Sequence, residues 1–185
     1  MHFTVEAQRI LGDRIAPGDI VIDATAGNGH DTVFLADRVG EKGLVYAIDI
    51  QASAIEQVRL RLQERELLTR VKLHIADHKC IKQIVAPGHH GAVKCVVFNL
   101  GYLPFGDKSI TTTRESSIAA IDGAASLLKT NGWMTILAYV GHPGGREEAQ
   151  AVQDWLEAHA DTFAYQDLRD PDNPASPILW VVEKR

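Results

Sequence analysis

The sequence predicts an α/β fold: a doubly wound, mostly parallel seven-stranded sheet that closes with a C-terminal antiparallel hairpin. Three observations predict it. Short β-branched runs alternate with amphipathic helical stretches, the pattern of a parallel sheet joined by right-handed crossovers. The first run, Ile20-Val21-Ile22-Asp23, feeds a glycine turn at Gly27 and Gly29 and then a helical pattern from Thr32 to Val39. The last two runs, near 163–168 and 178–183, follow one another with only the turn-rich Asp170-Pro171-Asp172-Asn173-Pro174 between them, so they pair as a hairpin at one edge.

The other elements follow in order. Residues 4–14 carry Val5, Ile10 and Leu11 at amphipathic spacing, and Pro17-Gly18-Asp19 ends that helix before the first strand at 20–24. Gly40-Glu41-Lys42-Gly43 turns into a second strand, 44–48. Ile55, Val58, Leu62 and Leu67 mark a helix over 52–68. Strands follow at 71–75 and 93–98, a helix at 113–129 that ends at Thr130-Asn131-Gly132, a strand at 133–140, and a helix at 146–160 after the Gly141-His142-Pro143-Gly144-Gly145 loop. A sheet of this kind is the Rossmann-like class I methyltransferase arrangement, and 185 residues fit it as one domain, 1–185.

Composition bounds the function. Hydrophobic content of 45% and charged content of 23% describe a globular chain, and no apolar run approaches the roughly 20 residues that span a bilayer. Met1 to Glu6 lacks the zones of a signal peptide, which with two unrelated cysteines, Cys80 and Cys95, points to the cytoplasm. Neither cysteine has a partner at ligand spacing, so no metal site is expected. The net charge of −5 gives no bulk polycationic signal for nucleic acid, although a local patch drawn from Arg9, Arg14, Lys79, Lys82, Lys108, Arg114 and Arg146 stays open. A homodimer is possible on exposed apolar residues of the N-terminal or terminal-strand segments.

In a doubly wound sheet the ligand lies across the carboxyl ends of the strands. At the first end, a dinucleotide-binding loop would place a third glycine where Thr32 stands. Asp23 would repel a pyrophosphate but suits an ammonium. We therefore read Asp23, Gly27, Asn28, Gly29 and Asp31 as a loop for S-adenosylmethionine. Asp31 meets the methionyl ammonium or caps the helix beside it. Asp49, about 20 residues beyond the glycines, pairs with the ribose hydroxyls or caps the next helix. Gln51 lies beside the adenosine. Asp77 and His78 contact the adenine or form a surface turn.

The fourth strand end, Asn99-Leu100-Gly101-Tyr102-Leu103-Pro104, is where an acceptor would bind. An Asn oxygen together with the carbonyl of Leu100 or Gly101 could fix the N–H directions of an amine, so that its lone pair points at the methyl carbon. Tyr102 could stack on a base. The alternative is an Asx turn with a packed tyrosine.

These strings, with Asp23-Ala24-Thr25-Ala26-Gly27-Asn28-Gly29-His30-Asp31-Thr32, Gly106-Asp107-Lys108 and Gly141-His142-Pro143-Gly144-Gly145, resemble a small bacterial class I methyltransferase family long labelled rRNA methylases. That family includes tRNA 5-(aminomethyl)-2-thiouridine methyltransferases. The resemblance runs almost from end to end. It implies S-adenosylmethionine as cofactor, tRNA as substrate, and transfer to the aminomethyl nitrogen of the wobble uridine. It assigns Asn28, Asp31, Asp49, Gln51 and His78 to the cofactor and Asn99 and Tyr102 to the acceptor amine. Asp107, Lys108, Thr112 and His142 would border the substrate cleft. If a general base is used, His142 is a better candidate than His78; the favoured role of His142 is to shape the loop or contact phosphate. Phe105 departs from the family's glycine and would narrow the cleft, and Asn173 to Pro177 departs from its usual ending. An N-methyltransferase acting on rRNA or on a small-molecule amine is the alternative.

Overall fold

The computed structural model describes residues 2–103, 110–173 and 175–185. Its elements in chain order are α1 (Phe3–Gly12), β1 (Ile20–Asp23), α2 (His30–Val39), β2 (Leu44–Asp49), α3 (Ala52–Glu64), β3 (Val71–Ile75), α4 (Ile81–Ile84), β4 (Val93–Leu100), α5 (Arg114–Leu127), β5 (Leu128–Ala138), α6 (Gly145–Ala158), β6 (Phe163–Leu168) and β7 (Ile178–Lys184). The seven strands form one sheet in the order β3-β2-β1-β4-β5-β7-β6. Neighbours pair in parallel from β3 across to β5, and β7 pairs antiparallel with both β5 and β6. The strand order reverses between β1 and β4, which opens a crevice above their carboxyl ends.

Strand alternation sorts the core into two layers. Val21, Val45 and Ala47 face α2 and α3, which bury Leu35, Val39, Val58 and Leu62 on them. Ile22, Tyr46, Phe98 and Met134 face the other way, under Ile121, Leu127, Val152 and Leu156 of α5 and α6. Each such side chain contributes about 1.5–3 kcal/mol by leaving water. Helix α1 lays Phe3, Ala7 and Ile10 over Leu137, Leu179 and Val181, which places its polar side at the rim of the crevice. Among the described residues no helix is long and apolar enough to cross a membrane.

Element boundaries differ from expectation in two instructive places. The helix predicted over 52–68 stops at Glu64, because Glu66 takes a left-handed φ of 58° that no helix continues. Between α5 and β5 there is no loop: the helix ends at Leu127 and the strand begins at Leu128, with Thr130-Asn131-Gly132 as an irregularity inside it. Asn131 adopts φ 59° there, and its carbonyl accepts a bond from Lys94 Nζ at 2.9 Å.

Candidate active site

The crevice is a cleft of about 590 Å³ over the ends of β1, β2, β4 and β5, well within the size of small-ligand sites. Its first wall is the glycine loop. Gly27 donates its N–H to Asp49 Oδ2 at 2.9 Å, and Gln51 N–H donates to Asp49 Oδ1 at 2.8 Å. Asp49 is thereby fixed on the cleft wall, with acceptor capacity left beyond these two bonds. Asn28, Asp31, Gln51, Asp77 and His78 also border the cleft. Ile50, absent from the sequence-based set, exposes 56% of its surface there, an apolar face for a flat ring.

Two residues of the expected loop lie elsewhere. Asp23 is fully buried beneath the cleft, where Oδ2 accepts from the Thr32 hydroxyl at 2.6 Å and Oδ1 from Thr25 N–H at 3.3 Å. As the second residue after Val21 it shares the face that α2 covers, so its side chain points into the protein rather than at an ammonium. Burial pushes its pKa up to about 7, with Asp31 adding to the rise. Thr32, which stands where a dinucleotide loop has glycine, is the donor that holds this acid. Gly29 is the close-approach glycine instead: at φ 83°, a Cβ there would come within 3.2 Å of Val58 Cα on α3.

Asp77 accepts from Lys79 N–H at 3.0 Å and pairs with Lys79 Nζ at 3.1 Å. Burial works to raise its pKa, and the bonds from Lys79 outweigh it and hold the carboxyl below the usual range. It therefore serves the turn as well as bordering the cleft. His78 packs edge-on against Phe98, and its buried Nε2 has no partner. Burial keeps the imidazole below its ordinary pKa, against the pull of Asp77 and Asp49. The ring borders the cleft, while its unmatched Nε2 lies beneath the surface.

The second wall is built by β4, β5 and the segments that follow them. Asn99 is anchored by its N–H to Thr25 Oγ1 at 2.7 Å. Its side-chain Nδ2 donates to Asp31 Oδ2 at 2.7 Å, while Gln8 Nε2 of α1 donates to Asp31 Oδ1 at 2.6 Å. One Nδ2–H given to Asp31 fixes the amide plane and leaves the second N–H and the oxygen for other partners. The expected carbonyl partners are in use: Leu100 is buried with its carbonyl accepting from Tyr139 N–H, and the Gly101 carbonyl accepts from Thr112 N–H at 2.9 Å. These carbonyls tie the wall together rather than pointing solely at an acceptor.

Tyr102 pairs with Thr111 across an isolated antiparallel bridge and stands edge-on to His142, with ring centres 5.8 Å apart. His142 Nδ1–H donates to the Pro143 carbonyl at 3.0 Å, and its buried Nε2 is unpartnered. Gly145 makes this packing possible, since a Cβ there would lie 2.5 Å from the Tyr139 carbonyl and 3.0 Å from that Nε2. Tyr139, which the sequence reading passed over, is 40% exposed at the cleft, where burial pushes its phenol pKa up and Asp31 adds to the rise. Thr112 Oγ1 donates to Glu148 Oε2 at 3.0 Å, and Ser117 Oγ to Glu148 Oε1 at 2.6 Å. Glu148 is thus a buried acid that clamps the segment before α5, and α5 itself, to α6. Asp107, Lys108 and Phe105 lie outside the described residues.

A family model described as "Putative rRNA methylase" matches residues 45–182. The chain belongs to this family. The match begins inside β2, so it covers the second wall and the Asp49 end of the first wall but not the glycine loop. Within the family's reach, the chain is 36% identical to a solved structure from Clostridium thermocellum, with a TM-score of 0.94 over all of this chain and 98% of that one. It is 27% identical to a Streptococcus mutans structure in complex with SAH, with a TM-score of 0.88 over all of this chain and 99% of that one. It is also 43% identical, over 92% of its length, to the chloroplast tRNA (mnm(5)s(2)U34)-methyltransferase of Arabidopsis thaliana, and spans 65% of that protein.

Proposed function

We propose that this chain is an S-adenosylmethionine-dependent methyltransferase acting on the primary amine of 5-aminomethyl-2-thiouridine at the tRNA wobble position. The observation that carries this reading is Asn99: its nitrogen is bonded to Asp31, which leaves an oriented oxygen acceptor at the end of β4. The SAH-bound relative and the plant tRNA methyltransferase support the reading.

S-Adenosylmethionine, when bound, supplies an electrophilic methyl on a sulfonium. Asp49 would hold the ribose, with Gln51, Ile50 and His78 against the adenosine. Asn28 and Asp31 would border the methionyl end. The acceptor is an ammonium in water, since amines of this kind titrate near 10 unperturbed, and it must lose a proton before it can attack. The acidic cleft draws the cation in, and the apolar faces of Tyr102 and Tyr139 favour the neutral amine once water is displaced. The Asn99 oxygen accepts one amine N–H and so aims the lone pair at the methyl carbon. The neutral amine would then take the methyl group as the sulfonium sulfur leaves with the S–C bonding pair, and the methylated amine would release its extra proton to solvent.

The test is nucleoside mass analysis of tRNA from a strain lacking this gene. The reading expects aminomethyl-thiouridine to accumulate in place of its methylated form. An unchanged nucleoside profile would contradict it.

A further inference from the structure

The described wall of the main cleft carries Asp31, Asp49 and Asp77 and no lysine or arginine. That suits an incoming ammonium and opposes a phosphodiester, because like charges at a few ångströms repel strongly once water is thinned. An RNA substrate would therefore have to seat its backbone elsewhere while one base enters the cleft. Immediately beside the cleft, sharing Val140 with it, lies a second cavity of about 340 Å³. Arg146 in the first turn of α6 and Arg169 just after β6 both line it, with Gln150 one turn beyond Arg146 and Asn173 from the loop before β7. Asp170 is the acid among its described lining residues, so the balance of charge reverses between the two neighbouring cavities.

Resting on the RNA reading above, we propose that this second cavity binds the phosphodiester next to the target nucleotide. Guanidinium groups are the side chains best matched to phosphate oxygens, and amides add uncharged donors that fix register. Arg169 is paired with Asp167, but both side chains are substantially exposed, and a pair of that kind yields readily to a stronger anion. A protein of net charge −5 can meet a polyanion only through such a local site.

The test compares wild type with an Arg146→Ala/Arg169→Ala double variant on tRNA lacking the terminal wobble methylation. A control variant, Arg59→Ala/Arg65→Ala, removes the same charge from the α3 region. The proposal expects KM for tRNA to rise at least about tenfold in the double variant, with kcat and cofactor affinity unchanged. The salt dependence of 1/KM should flatten by about one to two phosphate contacts. The control should match wild type. Equal activity of the double variant, or an equal loss in the control, would overturn the proposal while leaving the methyltransferase reading intact. A wild type that binds S-adenosylmethionine but transfers nothing to tRNA would overturn the RNA reading and this inference together.

Discussion

Around the loops that follow β1 and β2, the first wall of the cleft is held by backbone groups. Asp49 accepts from its neighbour Gln51 and from Gly27, 22 residues away. Around the segments that follow β4 and β5, polar side chains hold one another over longer separations. Asn99 meets Asp31 across 68 residues, and Glu148 meets Thr112 and Ser117 across 36 and 31. A backbone cradle tolerates change in the side chains around it, whereas a side-chain clamp fails when one member is lost. Binding and positioning should therefore be separable by mutation, and substitutions at four residues test this contrast in descending size of effect.

Asn99→Ala should lower the methyl-transfer rate at least about 100-fold, the scale of losing near-attack alignment. Calorimetric affinity for S-adenosylmethionine should be unchanged. A full rate, or a lost cofactor, would break the division between the walls.

Glu148→Ala leaves the buried Ser117 hydroxyl and the half-buried Thr112 hydroxyl without their acceptor and should cost about 2–3 kcal/mol in denaturant unfolding. Glu148→Gln, which keeps one acceptor oxygen, should recover part of that cost. Equal stability of all three proteins would show that the clamp contributes nothing.

Asp49→Ala should weaken cofactor binding by about 2 kcal/mol, roughly 30-fold, with kcat retained at saturating cofactor. Unchanged binding would remove Asp49 from the ribose.

Asp23→Asn sharpens the comparison through pH. A carboxyl whose folded pKa is raised to about 7, above an unfolded value near 4, favours folding when protonated. Its contribution is fully present below about pH 4 and is lost as pH rises to about 7. Relative to wild type, Asp23→Asn should therefore gain about 2 kcal/mol between pH 5 and pH 8 in parallel unfolding titrations. A constant difference across that range would show that Asp23 does not titrate there.

The same contrast explains what could be read in advance. The order of strands and helices, the terminal hairpin and the position of Asp49 were legible because they rest on local periodicity and fixed spacing. Asp23 was misplaced because its strand-end position suggested the cleft, while its shared face with Val21 sends it beneath α2. That signal was present in the two-residue alternation. Glu148 carried none: in Gly145-Arg146-Glu147-Glu148 it looks like any acid in a helix's first turn, and only tertiary contact exposes its role. Gln8 was hidden likewise, since nothing near it in sequence foretells Asp31. Tyr139 could have been found, as an aromatic at the carboxyl end of a strand that borders the loop after β4.

The central claim is most directly tested by incubating the purified protein and S-adenosylmethionine with tRNA that lacks the terminal wobble methylation, then digesting the tRNA for nucleoside mass spectrometry. The account predicts that 5-aminomethyl-2-thiouridine gains one methyl group and that the standard nucleosides do not change. Unaltered aminomethyl-thiouridine, with cofactor binding verified in the same preparation, would contradict it.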